Sequence, residues 1–422
     1  MYGKGAKTAK HPVSSTNVER HLPHIPPQAP LTGAPTLPAS KSISNRALII
    51  DALSGHACRC ANIAHCDDTD ALRHALHTTA DTIDIGAAGT AMRFLTALFA
   101  TQQGRTVTLT GSTRMLQRPI GPLVDALRTL GADIAYAGQE GFPPLRINGK
   151  KLHGSVLTPH FGQSSQYFSA LMMIAPYIEG GLTLHLADAT TSWPYVELTA
   201  AMMQHFGAQV ALSPTDITIE AGHYAATPFT VENDWSAASY WYELLAIARR
   251  GSLVLPQLQP HSWQGDAHIA ELFEAFGITT QFGDRHARIT YTGGTLPTHF
   301  AHDFGNIPDM AQTFAVLCCA LGVTFAFSGL HTLRIKETDR IAALTAELRK
   351  CGFVLAAGTA NLAWDGTRCT ANPLPHIATY NDHRMAMAFA PFAALMPIVI
   401  EQHDVVSKSY PDFWHAWEQI TQ

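Results

Sequence analysis

Residues 40–53 read SKSISNRALIIDAL: a cluster of small hydroxyl and polar residues that runs straight into an apolar, helix-forming stretch. Five later segments have the same grammar. They are AAGTAMRFLTALFA from Ala87, QSSQYFSALMMIAPY from Gln163, WSAASYWYELLAIA from Trp235, IPDMAQTFAVLCCAL from Ile307 and NDHRMAMAFAPFAAL from Asn381. After a short first interval of about 47 residues the period settles at about 70–76, and a fixed period is the mark of a repeated structural unit. A second helical pattern follows within several units: RPIGPLVDALRTLGADI from Arg118, SWPYVELTAAMMQHFGAQV from Ser192 and KETDRIAALTAELRKCGFVL from Lys336. Gly131, Gly207 and Gly352 close these three, and Gly277 closes HIAELFEAFGITT from His268. Glycine suits the left-handed residue that ends a helix. Runs such as TVTLTG from Thr106 and LTLHL from Leu182 read as strands. The expected fold is therefore α/β, with two helices and several strands per unit. Six units divide into two domains of three, with a boundary near Val231–Trp235.

The repeat also predicts where chemistry can occur. A helix N-terminus carries unpaired N–H groups and the positive end of the helix dipole. Several of them converging would bind anions.

Composition narrows the function. The 422-residue chain is 46% hydrophobic and 14% charged, with a formal net charge of −5. That suits a large-cored enzyme better than a nucleic-acid binder, which needs a basic surface. Seven cysteines without a Cys-x-x-Cys pair fit a reducing compartment. His56, Cys58, Cys60, His65 and Cys66 lie close together, but in no standard zinc spacing. Cys58 and Cys60 alternate with Arg59 as on a half-buried strand. No apolar run is long enough to span a membrane. The first 35 or so residues lack the apolar stretch of a secretory signal. The reading is a cytoplasmic protein with a flexible tail over 1–19.

Seven short motifs carry the chemistry. They are Lys41-Ser42-Ile43-Ser44-Asn45-Arg46, Gly89-Thr90-Ala91-Met92-Arg93, Arg114-Met115-Leu116-Gln117-Arg118-Pro119, Ser164-Ser165-Gln166, Pro308-Asp309, Lys336-Glu337-Thr338-Asp339-Arg340 and Asn381-Asp382-His383-Arg384-Met385-Ala386-Met387, with Lys408 after them. In these motifs, from about Leu37 to Tyr410, the chain resembles the 5-enolpyruvylshikimate-3-phosphate synthase family. The resemblance implies two domains, each of three βαβαββ units around a pseudo-threefold axis. It places them at 38–232, with the first unit shortened, and at 233–422, and it packs an N-terminal strand, 20–37, with the second domain. It implies transfer of the enolpyruvyl group of phosphoenolpyruvate to the 5-hydroxyl of shikimate 3-phosphate, through a tetrahedral intermediate that loses phosphate. These two small molecules are the expected partners, with no nucleic acid or membrane, no cofactor and no metal, in a monomer. Inhibition by glyphosate at the phosphoenolpyruvate site is implied as well.

By the same resemblance, Lys41, Gly89, Arg118, Gln166, Arg340, Arg384 and Lys408 hold phosphoenolpyruvate. Shikimate 3-phosphate falls to Lys41, Ser42, Arg46, Ser164, Ser165, Gln166, Ser192, Tyr195, Asp309 and Lys336. Asp309 and Glu337 transfer protons, Lys41 stabilises charge on the leaving phosphate, and His383 is structural. The residue types fit this chemistry. Both substrates carry a phosphate and a carboxylate, and arginine grips each with two parallel hydrogen bonds. Addition across a double bond needs a group to take a proton and one to give it. The bland alternative for Lys336–Arg340 is ion pairing along a helix surface. Three departures stand out: Ala87 and Thr332 replace asparagines usual in the family, and the first unit is short between Asp70 and Asp84, so a hairpin is expected to be missing. The nearest rivals are a UDP-N-acetylglucosamine enolpyruvyl transferase and a non-catalytic metabolite-binding protein on the same fold. Against the first, the loop Gly111-Ser112-Thr113-Arg114 lacks the cysteine usual there.

Overall fold

The computed structural model of the protein describes residues 18–154, 156–159, 164–186 and 192–422. Gln163, which opens the third repeat, and most of the expected tail lie outside the described residues.

All six repeated segments form a helix: Lys41–Leu53, Gly89–Thr101, Ser165–Ile174, Trp235–Ala248, Ala311–Leu321 and His383–Phe389. Helix Gly89–Thr101 packs on both Lys41–Leu53 and Ser165–Ile174, and Ala311–Leu321 packs on both Trp235–Ala248 and His383–Phe389. Each half of the chain thus has three central helices in mutual contact. Beyond their polar starts they are largely apolar, as an interior helix must be. Gly89–Thr101 buries eleven of its thirteen residues.

Sheets of one repeated design surround these helices. Strand Thr82–Asp84 runs parallel to Thr106–Thr110, which pairs antiparallel with Leu145–Asn148 and through it with Asp133–Tyr136. The same order recurs in the four-stranded sheets whose second strands are Leu182–His185, Ser252–Pro256 and Thr324–Ser328. Two units depart from it. Strand Arg59–Ala61 of the first unit pairs only with Pro228–Thr230 among the described residues, so the hairpin is missing as expected. Helix Asp67–His77 and strand Thr82–Asp84 use up the residues in which it would lie. In the sixth unit, Ile398–Glu401 pairs in parallel with His376–Ile377, and the antiparallel place is taken by Glu19–Leu22.

The N-terminal segment differs in detail from a single strand over 20–37. Glu19–Leu22 and Thr32–Gly33 are separate strands. Pro23, Pro26, Pro27 and Pro30 lie between them, and proline offers no N–H to continue a ladder. Two apolar cores result. One gathers residues from Ala39 to Val231. The other gathers residues from Trp235 to Ile420 together with Leu22, Ile25, Leu31 and Leu37. The chain passes between them twice. The passages pair at Ala39 and Asn233, flanked by hydrogen bonds from Ser40 N to Glu232 O (2.8 Å) and from Asp234 N to Pro38 O (2.9 Å).

The four glycines expected to close helical segments all have positive φ, from 81° at Gly277 to 98° at Gly131. The segment ending at Gly277 is not one helix. A single α turn, Ile269–Leu272, sits between 3₁₀ turns Gly265–His268 and Phe273–Phe276. Ile269, Phe273 and Phe276 still reach the core, since tight turns keep side chains three and four apart on one face. All seven cysteines are free thiols, and Cys60 lies on the half-buried strand Arg59–Ala61. Among the described residues no helix is long and apolar enough to cross a membrane.

Candidate active site

The N-terminal ends of the six central helices meet at one cavity. Lys41 and Ser42, Gly89 and Thr90, Ser165 and Gln166, Ser236 and Ala237, Asp309, and His383 and Arg384 all line it. Three of the helices are capped by side chains, at Ser40, Asp234 and Asp382. Helices Gly89–Thr101 and Ser165–Ile174 have no side-chain cap. Their first N–H groups and dipoles are therefore available to an anion in the cavity.

Seven cationic side chains line the cavity against four carboxylates, among the described residues, although the chain as a whole carries −5. Those of the second half form a closed network. Arg340 donates to both oxygens of Asp382 (2.7 and 3.3 Å), to Asp309 (2.7 Å) and to Glu337 (3.1 Å). Arg384 donates to the other oxygen of Asp309 at 2.9 Å, and Lys336 lies 3.5 Å from Asp309. Lys408 stands behind the lining and bridges the halves. Its Nζ is 2.9 Å from the carbonyl of Ala87, 3.2 Å from Asp68 and 3.7 Å from Glu337. Asp68 also holds Lys41, at 3.0 Å.

These contacts fix protonation. Burial works against a charged Asp309 and a charged Glu337. The surrounding cations prevail, Arg384, Lys336 and Arg340 for the first and Lys408, Arg340 and Arg118 for the second, and hold both carboxyls well below the usual range. Lys41 is likewise buried, yet Asp68 and Glu337 raise its pKa above that of a free lysine. His383 is pushed far down by burial beside Lys41 and Arg384, so its imidazole is neutral.

The arginines of the first half differ in kind. Arg46 is 2% exposed and donates to Thr199 Oγ1 (2.7 Å), Ser169 Oγ (2.9 Å) and the carbonyls of Ser42 (2.9 Å) and Tyr195 (3.3 Å). It has no carboxylate partner among the described residues, and burial pushes it down to about 10. The Arg118 side chain has neither a hydrogen-bond nor an ion-pair partner among them, although its charge is felt by Glu337. Its guanidinium lies across the start of helix Gly89–Thr101, where a Cβ on Gly89 would sit 2.5 Å from Nη1. Cations short of counter-ions, Arg46 buried and Arg118 half-buried, are where anionic ligands belong.

Every residue expected at the site is brought to this cavity, with Lys408 one step behind the surface. The helix-surface reading of Lys336–Arg340 fails. Asp339 caps the helix, which starts only at Arg340, so Lys336 and Glu337 lie on the preceding loop and face the cavity.

A family model described as EPSP synthase (3-phosphoshikimate 1-carboxyvinyltransferase) matches residues 25–80 and 73–417. A 3-phosphoshikimate 1-carboxyvinyltransferase of Bacteroides fragilis (strain YCH46) is 49% identical over 90% of this chain and 93% of its own length. The chain belongs to the EPSP synthase family. A further member, from Vibrio cholerae serotype O1 (strain M66-2), is 36% identical over 93% of this chain and 97% of its own. An EPSP synthase structure from Acinetobacter baumannii superposes with a TM-score of 0.74 at 21% identity, covering 96% of this chain and 98% of that one. The fold is thus the two-domain EPSP synthase fold. The two stretches of the family match overlap at 73–80, inside the part where the first unit is short.

Within this EPSP synthase fold, the motifs disclose most of the cations and the carboxylates Asp309 and Glu337, but not Asp68 or the parts played by Asp382 and Arg93. The one signal for Asp68 is the acidic start of helix Asp67–His77. Asp382 and Arg93 were quoted in motifs without a role. Arg93 is buried and donates to the carbonyls of Gly89 (3.1 Å) and Pro119 (2.9 Å), bracing the loop that carries Arg118. At the two departures, Ala87 contributes its carbonyl to Lys408, and Thr332 lines the cavity with its buried hydroxyl unpartnered.

Proposed function

We propose that the protein transfers the enolpyruvyl group of phosphoenolpyruvate to the 5-hydroxyl of shikimate 3-phosphate and releases phosphate. The observation that carries this reading is one cavity, lined by six helix starts from both halves, that seven cations share with Asp309 and Glu337. Both substrates are polyanions, and a cavity this cationic suits them. Arg118, Arg340, Arg384, Lys41 and Lys408 hold phosphoenolpyruvate, with Gln166 and the backbone at Gly89. Arg46 and Ser42 take the carboxylate of shikimate 3-phosphate. Ser164, Ser165 and Ser192 take its phosphate, and Tyr195, Lys336 and Asp309 meet its ring.

The reaction adds the hydroxyl oxygen to C2 while C3 gains a proton. The resulting methyl group then gives a proton back as the C2–phosphate bond breaks. Each half of the sequence begins with removal of a proton, from oxygen and then from carbon. Carboxylates kept anionic by neighbouring cations, as Asp309 and Glu337 are, suit that need. Lys41, kept charged, offsets the negative charge gathering on the departing phosphate.

The protein works in the cytoplasm as a monomer. Its domains are 38–232 and 233–422, joined by the paired passages at Ala39 and Asn233, and they close over the substrates. Glyphosate competes with phosphoenolpyruvate. The test is proton NMR of a mixture of the two substrates with the protein. Vinyl resonances of a new enol ether appear in step with inorganic phosphate, and an unchanged spectrum contradicts the assignment.

A further inference from the structure

Arg384 has an anchor that lies outside the carboxylate network. Its Nη2 donates to Asp309 at 2.9 Å and also to Ser236 Oγ at 3.3 Å. The Ser236 hydroxyl in turn donates to Oδ2 of Asp266. Asp266 is only 5% exposed, and its other oxygen has no hydrogen-bond partner. It sits on the turn Gly265–His268 at the seam between the halves. A Cβ on Gly265 would lie 2.5 Å from Pro194 Cβ, so this turn abuts the helix start that carries Tyr195.

We propose that Asp266 is a positioning residue, which fixes the Ser236 hydroxyl so that Ser236 can hold Arg384 in its anion-gripping pose. A hydroxyl has one proton and two lone pairs. With its proton committed to Asp266, Ser236 presents only lone pairs to the guanidinium. With Asp266 neutral or replaced, that proton is free to turn toward Arg384 and the anchor is lost. The groups that act electrostatically on Asp266 are Asp309 and Asp234, which disfavour its charge, and Arg384 and the Ser236 hydroxyl, which favour it; the nearby Tyr195 phenol is kept neutral by burial. Burial, assisted by Asp309, pushes its carboxyl up to about 6. The relay is therefore in force above that pH and released below it. The proposal rests on the reading that Arg384 holds phosphoenolpyruvate.

The experiment compares wild type with Asp266→Asn, Ser236→Ala and the double variant from pH 5 to 8.5. At pH 8, Asp266→Asn is expected to raise KM for phosphoenolpyruvate roughly fivefold, with kcat and KM for shikimate 3-phosphate within about twofold. The ratio of wild-type to variant kcat/KM falls toward one by about pH 5. Titration of the substrate phosphates is common to both proteins and cancels in this ratio. Ser236→Ala shows the same rise in KM, and Asp266→Asn adds nothing to it. A purely structural aspartate would lower the melting temperature when replaced. Here the folded-state pKa is raised, so the ionised group costs stability as pH climbs past the unfolded value. Asp266→Asn is thus expected to melt at or above wild type at pH 8. A loss equal at pH 5 and pH 8, or additive effects in the double variant, overturns the proposal. If wild type does not turn over these substrates, the functional reading fails instead. The dissociation constant of phosphoenolpyruvate alone, by calorimetry, then tests the same pH-dependent ratio.

Discussion

Asp309 makes the site's chemistry specific, because its two oxygens are shared among Arg340, Arg384 and Lys336. Asp309→Asn and Glu337→Gln each remove a base and are expected to lower kcat by about 10²–10⁴, leaving affinity for shikimate 3-phosphate within a few-fold. Steady-state kinetics with both substrates checks this. The same carboxylate also links to stability. Its folded pKa is depressed, so its contribution is present above the unfolded value of 3.8 and lost as pH falls through the folded value. The melting-temperature gap between wild type and Asp309→Asn should therefore narrow in acid. Asp382 is fully buried against Arg340. Asp382→Ala removes two of that guanidinium's hydrogen bonds while Asp309 and Glu337 remain, and should cost about 1–3 kcal/mol in urea unfolding. At Gly89, an added methyl would press on the Arg118 guanidinium, a flexible group that can give way only by leaving its place. Gly89→Ala should weaken phosphoenolpyruvate by about tenfold, and glyphosate, slightly longer, by more. Equal changes in the Michaelis and inhibition constants would show that the loop does not discriminate by size. At this scale the sequence disclosed the cations, because their motifs are local. It hid Asp68, whose partners Lys41 and Lys408 lie 27 and 340 positions away.

Among the helices, Asp234 does the work of two caps. One oxygen accepts from Ala237 N at 3.1 Å in its own helix, and the other accepts from Lys41 N at 3.2 Å in a helix of the first half. Asp234→Ala should cost about 1–3 kcal/mol, more than a usual single cap, measured by chemical denaturation. Asp234→Asn should recover part of it. The helices themselves were legible in the sequence, since an apolar run behind a polar start is a local signal. So were the closing glycines, which need only a left-handed residue. The turns from His268 to Phe276 have the sequence pattern of one helix because they bury side chains at the same spacing a helix would. The split of the N-terminal segment into two strands was signalled by its prolines.

Across the molecule, repetition is what makes the site. Six units built alike point the same end of the same helix at one cavity. The missing first hairpin leaves that cavity intact, because strand Arg59–Ala61 and its partner Pro228–Thr230 remain and helix Asp67–His77 still delivers Asp68. The period was visible in the sequence; the convergence was not, since the packing that creates it joins residues hundreds of positions apart. Lys408 against Ala87 and Arg114 against the Lys336 carbonyl (3.2 Å) tie the halves directly across the cavity. The most direct measurement is phosphate release with phosphoenolpyruvate and shikimate 3-phosphate, leaving out each in turn and then replacing the acceptor with UDP-N-acetylglucosamine. Phosphate is expected only from the complete shikimate 3-phosphate mixture, without added metal. Release with the nucleotide sugar, or none with either acceptor, would contradict the account.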